Sequence, residues 1–235
     1  MEREQAKNLI KETFENPFDK NKFINFIVNL LNLRQEDVNN TAKGPWQGVF
    51  IPEAFQDYIS KYERIAKYTV GSNRIDILIV YLKKETSIER ARTRQRNFIS
   101  GYLKGNYGST TEKDAALVAF VSPAEDDWRF SLVKMDYRFE KTPKGKHKIK
   151  EEFTPAKRWS FLVGKNEKSH TAQSKFLPVL ENDDYRPTLD DLEGLFNVEV
   201  VTKEFFEKYR DLFIRTKLEL DKIVQNDIKV KQEFE

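Results

Sequence analysis

Apolar residues recur at helical spacing from the start of the chain. Ala6, Leu9, Ile10 and Phe14 share one face over residues 2–15, and Asn16-Pro17 ends that run because the residue before proline avoids the right-handed helical region. Asp19 suits the N-cap of a second helix, in which Phe23, Ile24, Phe26, Ile27, Leu30 and Leu31 form a broad apolar stripe. A polar connector follows over 32–46, with Asn39-Asn40 and Lys43-Gly44-Pro45 as turn chemistry. After Ile51-Pro52 the pattern predicts a short helix through Phe55 and Ile59, then a strand over 62–69, the turn Gly71-Ser72-Asn73 and a second strand over 75–82. That second strand is apolar on both parities (Ile75, Ile77, Ile79 and Leu78, Val80, Leu82), which marks a strand covered on both faces at a sheet centre.

Thr86 with Glu89 three positions later reads as a capping box for a helix over 87–104, whose stripe is Ile88, Ala91, Phe98, Ile99, Tyr102 and Leu103. Strands are predicted over 115–121 and 128–137 with an acidic turn between them, and a further hairpin over 138–153 around Thr142-Pro143-Lys144-Gly145. A short strand over 159–163, a helix over 171–181 and a loop over 182–187 come next. A final helix is capped by Thr202, and its Phe and Leu stripe is expected to pack on the rest of the domain near Phe213. The last residues have no C-cap signal, so the reading is of a chain that continues into a further part. The fold class predicted is α/β: a central mixed sheet built from two hairpins, flanked by helices, with a helical C-terminal part. Residues 1–200 are expected to form the α/β domain and 201–235 the helical segment.

Composition narrows the chemistry. The 235 residues include 41 Lys or Arg and 38 Asp or Glu, a formal +3, so the chain is densely charged without being a polybasic tail. No long apolar run predicts a membrane span and no signal peptide opens the chain, so a cytoplasmic protein is expected. There is no Cys, and His147 and His170 are the only histidines, which excludes disulfides and thiolate zinc sites and leaves hard cations on Asp and Glu. No glycine arrangement fits a phosphate-binding loop. Asn16-Pro17-Phe18 lacks the second proline of an amino-group methyltransferase loop and joins two helices.

Arg90, Arg92, Arg94 and Arg96 lie within seven residues, just after Lys83 and Lys84. At 100° per residue, Arg90 and Arg94 fall on one margin of the apolar stripe and Arg92 and Arg96 on the other. Two readings stay open: contact with a nucleic-acid backbone, for which guanidinium forks are suited, or a solvated helix whose arginine stems cover apolar margins. Lys141, Lys144, Lys146, Lys148 and Lys150 make a second basic run, read as an edge strand kept soluble by lysine in preference to a phosphate-facing ribbon. A metal-dependent nuclease needs carboxylates converging on a hard cation beside a Lys. The only catalytic candidate is Asp76. It shares a strand with Lys83, but seven steps separate the two by roughly 23 Å, and pairing of Asp76 with Lys67 or Arg74 accounts for it more simply. A short turn would put Glu63 across the hairpin from Tyr81 and still leave Asp76 far away. Lys134 and Asp136 share a face, with Lys113 opposite Asp136, and a cross-strand ion pair is expected there.

Four segments resemble the N-terminal region of large bacterial type IIG restriction-modification proteins, which fuse an endonuclease to an adenine-specific DNA methyltransferase. The first runs Lys83-Lys84-Glu85-Thr86-Ser87-Ile88-Glu89-Arg90-Ala91-Arg92-Thr93-Arg94-Gln95-Arg96-Asn97-Phe98. Asp114-Ala115-Ala116-Leu117-Val118-Ala119-Phe120 and Asp127-Trp128-Arg129-Phe130-Ser131-Leu132-Val133-Lys134 follow. The last is Thr154-Pro155-Ala156-Lys157-Arg158-Trp159-Ser160-Phe161-Leu162-Val163-Gly164 with His170-Thr171-Ala172-Gln173. The resemblance covers about half the chain and implies a nuclease-like domain with a restriction-endonuclease-like core, Mg²⁺ as cofactor, double-stranded DNA as partner and a role in phage defence. It also implies a methyltransferase domain in the same polypeptide, where S-adenosylmethionine would bind. Tyr81-Leu82-Lys83 stands where such nucleases carry Glu-x-Lys. The alternative is a non-catalytic positioning or target-recognition module that packs on the methyltransferase.

Overall fold

The computed structural model describes all residues except 35, 39–45, 48–49, 85, 89–90, 108–111, 137, 142–146, 151–155, 198 and 234–235, and leaves aside the side chains of 46–47, 138–141, 147–150, 199–204 and 224–233. Two compact units divide the chain, Met1–Phe196 and Asn197–Glu235.

The first unit opens with α1 (Arg3–Phe14) and α2 (Lys20–Leu31). Asp19 caps α2 as its sequence suggests, its carboxylate accepting from the Lys22 N–H at 2.9 Å. Beyond β1 (Trp46–Gln47) and the single turn α3 (Glu53–Gln56), β2 (Ile59–Val70) and β3 (Asn73–Leu82) make the first hairpin. Gly71 has φ 56° at the first position of the two-residue turn, a conformation that hairpin turns require and glycine adopts without strain. The helix α4 (Arg92–Leu103) then crosses to β4 (Ala115–Val121), which runs parallel to β3 and forms a second hairpin with β5 (Asp127–Met135). The small hairpin of β6 (Arg138–Lys141) and β7 (His147–Lys150) is a separate two-stranded sheet, and β8 (Ala156–Gly164) pairs with β5. The main sheet therefore has the order β1-β2-β3-β4-β5-β8, antiparallel except for the central β3·β4 pair. It is a mixed sheet made from two hairpins, as the strand patterns predict.

Each face of this sheet has its own cover. On one, Leu78, Val80, Val118, Phe120 and Val133 meet Phe98, Ile99, Tyr102 and Leu103 of α4. On the other, Phe14, Phe23 and Phe26 from α1 and α2 meet Trp128, Phe130 and Phe161 of the sheet, with Phe176 of α5 (His170–Leu180) and Phe196 of α6 (Leu189–Phe196). Ring centroids in this cluster lie 4.7–6.5 Å apart, the range in which tilted and edge-on aromatic pairs attract. Because β3 and β4 are central and lie beneath both layers, both parities of each are buried.

Some elements differ from expectation. The helix read from residue 87 begins at Arg92, and Thr86 does not cap it: the Thr86 N–H turns back to the Lys83 carbonyl, and the Ile88 N–H donates to the Glu125 carboxylate of the β4–β5 turn. Ile88 itself is buried in the core. Glu89 and Arg90 lie outside the described residues, as do Asn39, Asn40, residues 43–45 of the connector and the tip of the third hairpin. The segment from Thr188, for which the sequence pattern predicts no element, leads into α6. The second unit is α7 (Glu199–Glu233), which begins three residues before Thr202, so Thr202 is inside the helix. Along α7 itself, Phe205, Phe206, Leu212 and Phe213 are each 60–69 % exposed. No helix among the described residues is long and apolar enough to cross a membrane.

Candidate nucleic-acid interface

The first turn of α4 brings Arg92, Thr93 and Arg96 to one side, since residues four apart stack on a helix face. Facing them from the sheet are Arg129 of β5 and Arg158 and Ser160 of β8, on the strand parity that points toward α4. These six residues line a cleft of about 220 Å³. Four guanidiniums and two hydroxyls thus surround one concavity, and no carboxylate is among its described lining residues.

Arg158 is held rigidly. Its Nε donates to Ser131 Oγ at 3.2 Å, one terminal nitrogen to the Arg92 carbonyl at 3.0 Å and the other to Gln95 Oε1 at 2.8 Å. Its guanidinium carbon also lies 4.8 Å from the Phe120 ring centroid. Gln95, itself buried, is oriented by a bond from its amide to the Ile88 carbonyl. These three acceptors are neutral groups that orient the guanidinium. Arg129 is only 5 % exposed and forms the floor of the cleft. Ala91, the residue before α4, provides no side-chain cap, and the positive end of the α4 dipole lies on this side.

The sequence candidates separate accordingly. Arg92 and Arg96, one margin of the predicted stripe, enter the cleft. Arg94, on the other margin, lies over the Tyr58 ring with its guanidinium carbon 3.7 Å from the centroid, a cation–π contact. Lys83 and Lys84 are exposed just past the end of β3, and Arg90 lies outside the described residues. The side chains of the Lys141–Lys150 run also lie outside them. Arg129 and Arg158 were not among the sequence candidates. The signal for Arg129 is the alternation in β5, where Arg129 and Ser131 stand on the parity opposite Trp128, Phe130 and Leu132.

Asp76 is buried on the α4 side of the sheet. It accepts from the Tyr102 hydroxyl at 2.6 Å and pairs with Arg64 at 3.5 Å, not with Lys67 or Arg74. Burial pushes the Tyr102 phenol well above its usual range, and the Asp76 charge pushes it further. Lys113 is buried nearby; desolvation lowers its pKa and Asp76 partly opposes that. Glu63 accepts from Lys20 at 2.7 Å and from the Tyr81 hydroxyl at 2.8 Å, a diagonal contact across the hairpin, since Tyr81 stands opposite Lys61 in the register. Glu63 pairs in register with Ile79, three residues from Asp76, so the two carboxylates project from opposite faces of the sheet. They do not fit a shared Mg²⁺, and among the described residues no three His, Asp or Glu side chains are grouped to hold a metal ion. Asp114 accepts from the Arg74 N–H at 2.7 Å. Asp136 pairs across strands with Lys157 at 2.9 Å, and Lys134 reaches Glu193 of α6 at 2.7 Å.

Comparison with known proteins finds no matching family model, no matching curated protein and no matching solved structure.

Proposed function

We propose that this chain is the nuclease-like, DNA-engaging domain of a bacterial restriction-modification enzyme and that it meets the phosphate backbone through the arginine cleft. The observation that carries the reading is the convergence of Arg92, Arg96, Arg129 and Arg158 on one concavity. Guanidinium forks match phosphate oxygens in pairs, and contacts of this kind position a protein on nucleic acid without reading its sequence. The resemblance supports the same reading, because its segments supply every described element that lines the cleft: the start of α4, β5 and β8. Engagement, and not hydrolysis, is what the carboxylates support, since Asp76 and Glu63 are both bonded to protein cations and hydroxyls on opposite faces.

A second reading, a positioning module that docks on a methyltransferase, draws on the exposed Phe and Leu side chains of α7. The two readings part in one experiment. Fluorescence anisotropy with labelled duplexes of two unrelated sequences should give micromolar binding at best, since non-specific affinities lie near 10⁻⁴ to 10⁻⁶ M and a net +3 adds little long-range attraction. Replacing Arg92 and Arg96 by Ala should weaken both duplexes alike. Unchanged affinity in the double variant would remove the cleft as a DNA contact and leave the positioning module as the better account.

A further inference from the structure

The cleft differs from a flat basic surface in ways that limit what enters it. Its floor is a guanidinium, that of Arg129, on a residue 5 % exposed, whereas Arg92 and Thr93 at the rim are exposed. At about 220 Å³ it falls below the roughly 300–1,000 Å³ typical of pockets for drug-sized ligands, so it suits one compact polar group. The Nε of Arg96 is buried and has no hydrogen-bond partner among the described residues. A buried donor of a charged group left without an acceptor is costly, and an anion in the cleft would relieve it. The start of α4 places the positive end of the helix dipole on the same side. Arg158 is already fixed by Ser131, Gln95 and the Arg92 carbonyl, so little ordering remains to be done when an anion arrives.

We infer that the cleft is a pocket for a single dianionic phosphoryl group, and that on DNA it takes the 5′-terminal phosphate monoester of a duplex end. An internal phosphodiester carries one negative charge and a sugar on each side, which keeps it at the rim beside Arg92. A terminal monoester presents three free oxygens and close to two charges, and it can project inward to Arg129. Thr93 and Ser160 supply hydroxyls at the sides. The inference deepens the DNA-engaging reading and rests on it for the source of the phosphate, while the pocket itself rests only on the geometry.

The test uses the whole chain and a hairpin duplex labelled in its loop, so that a single 5′ end carries either a phosphate or a hydroxyl. The 5′-phosphate hairpin should bind about tenfold more tightly, the effect of one or two charge-assisted hydrogen bonds. Thr93→Glu, which places a carboxylate at an exposed position of the rim, should abolish that preference, and Arg96→Gln should reduce it. Calorimetry with inorganic phosphate at matched ionic strength should detect binding to the wild type and none to Thr93→Glu. Equal affinity for the two hairpins, with both weakened by the Arg92 and Arg96 changes, overturns the terminal-phosphate inference and leaves backbone engagement standing. Phosphate binding with no affinity for either hairpin overturns the DNA assignment and retains the anion pocket. No phosphate binding together with no end preference overturns the pocket.

Discussion

The carboxylate of Asp76 lies buried beneath α4, where it accepts from the Tyr102 hydroxyl and pairs with the Arg64 guanidinium. Removing it leaves Arg64 and Lys113 partly buried without its charge, so Asp76→Ala should lower stability by about 3 kcal/mol, read from urea unfolding. As an acidic residue in an apolar strand, Asp76 attracts a catalytic interpretation from sequence, and a regular hairpin would give it Lys67 or Arg74 as partner. A register shift between Arg64 and Ala66 instead returns Arg64 to the face of Asp76, and nothing in a single sequence marks such a bulge. The buried phenols set the alkaline limit. Tyr62 and Tyr68 are pushed up to about 12, both by burial first of all, and Tyr102 goes higher still. Since their folded values exceed the unfolded value near 10, their contribution is complete below about pH 10 and is lost as pH rises through the folded values. Urea midpoints measured from pH 8 to 11.5 should therefore fall above about pH 10, and Tyr68→Phe should make that fall shallower; a flat profile would contradict this assignment.

At the scale of elements, periodicity located most helices and strands, and local side-chain chemistry decided where they begin. The Asp19 cap was legible and the Thr86–Glu89 box misleading, because Ile88 is drawn into the core and Glu125 takes its N–H. The reverse happened at α6. Thr188 and Asp191 bond reciprocally there, the Asp191 carboxylate accepting from the Thr188 N–H at 2.8 Å and the Thr188 hydroxyl accepting from the Asp191 N–H at 3.2 Å. This is a capping box with Asp at its third position, readable in Thr188-Leu189-Asp190-Asp191 but easily passed over beside a loop that holds Pro187. The Thr188 hydroxyl also donates to that carboxylate, and this bond first of all, then those from Tyr185 and the Thr188 N–H, hold the Asp191 carboxyl below its usual range. Thr188→Ala should lower stability by about 1 kcal/mol at neutral pH, measured by urea unfolding. Because a depressed carboxyl stabilises only while ionised, the variant and wild type should converge as pH falls through the Asp191 value.

For the molecule as a whole, the two-hairpin mixed sheet could be read from the sequence because its central strands are apolar on both parities and its turns carry Gly or acidic residues. The cleft could be read only by half. Arg92 and Arg96 stood out as a cluster, whereas Arg129 and Arg158 sit singly in strands separated from α4 in sequence, and only the order β4-β5-β8 beneath α4 brings them together. The claim that joins fold to function is that this cleft meets phosphate. Its most direct measurement is the salt dependence of duplex binding by anisotropy, for the wild type and for the Arg92→Ala/Arg96→Ala variant, with near-ultraviolet circular dichroism to confirm that the variant keeps its packed core. Every phosphate that the variant no longer neutralises should flatten the slope of log affinity against log salt by about 0.9, so the double variant should bind more weakly and with a slope lower by one to about two such steps. Equal affinity and equal slope in a folded double variant would contradict the account.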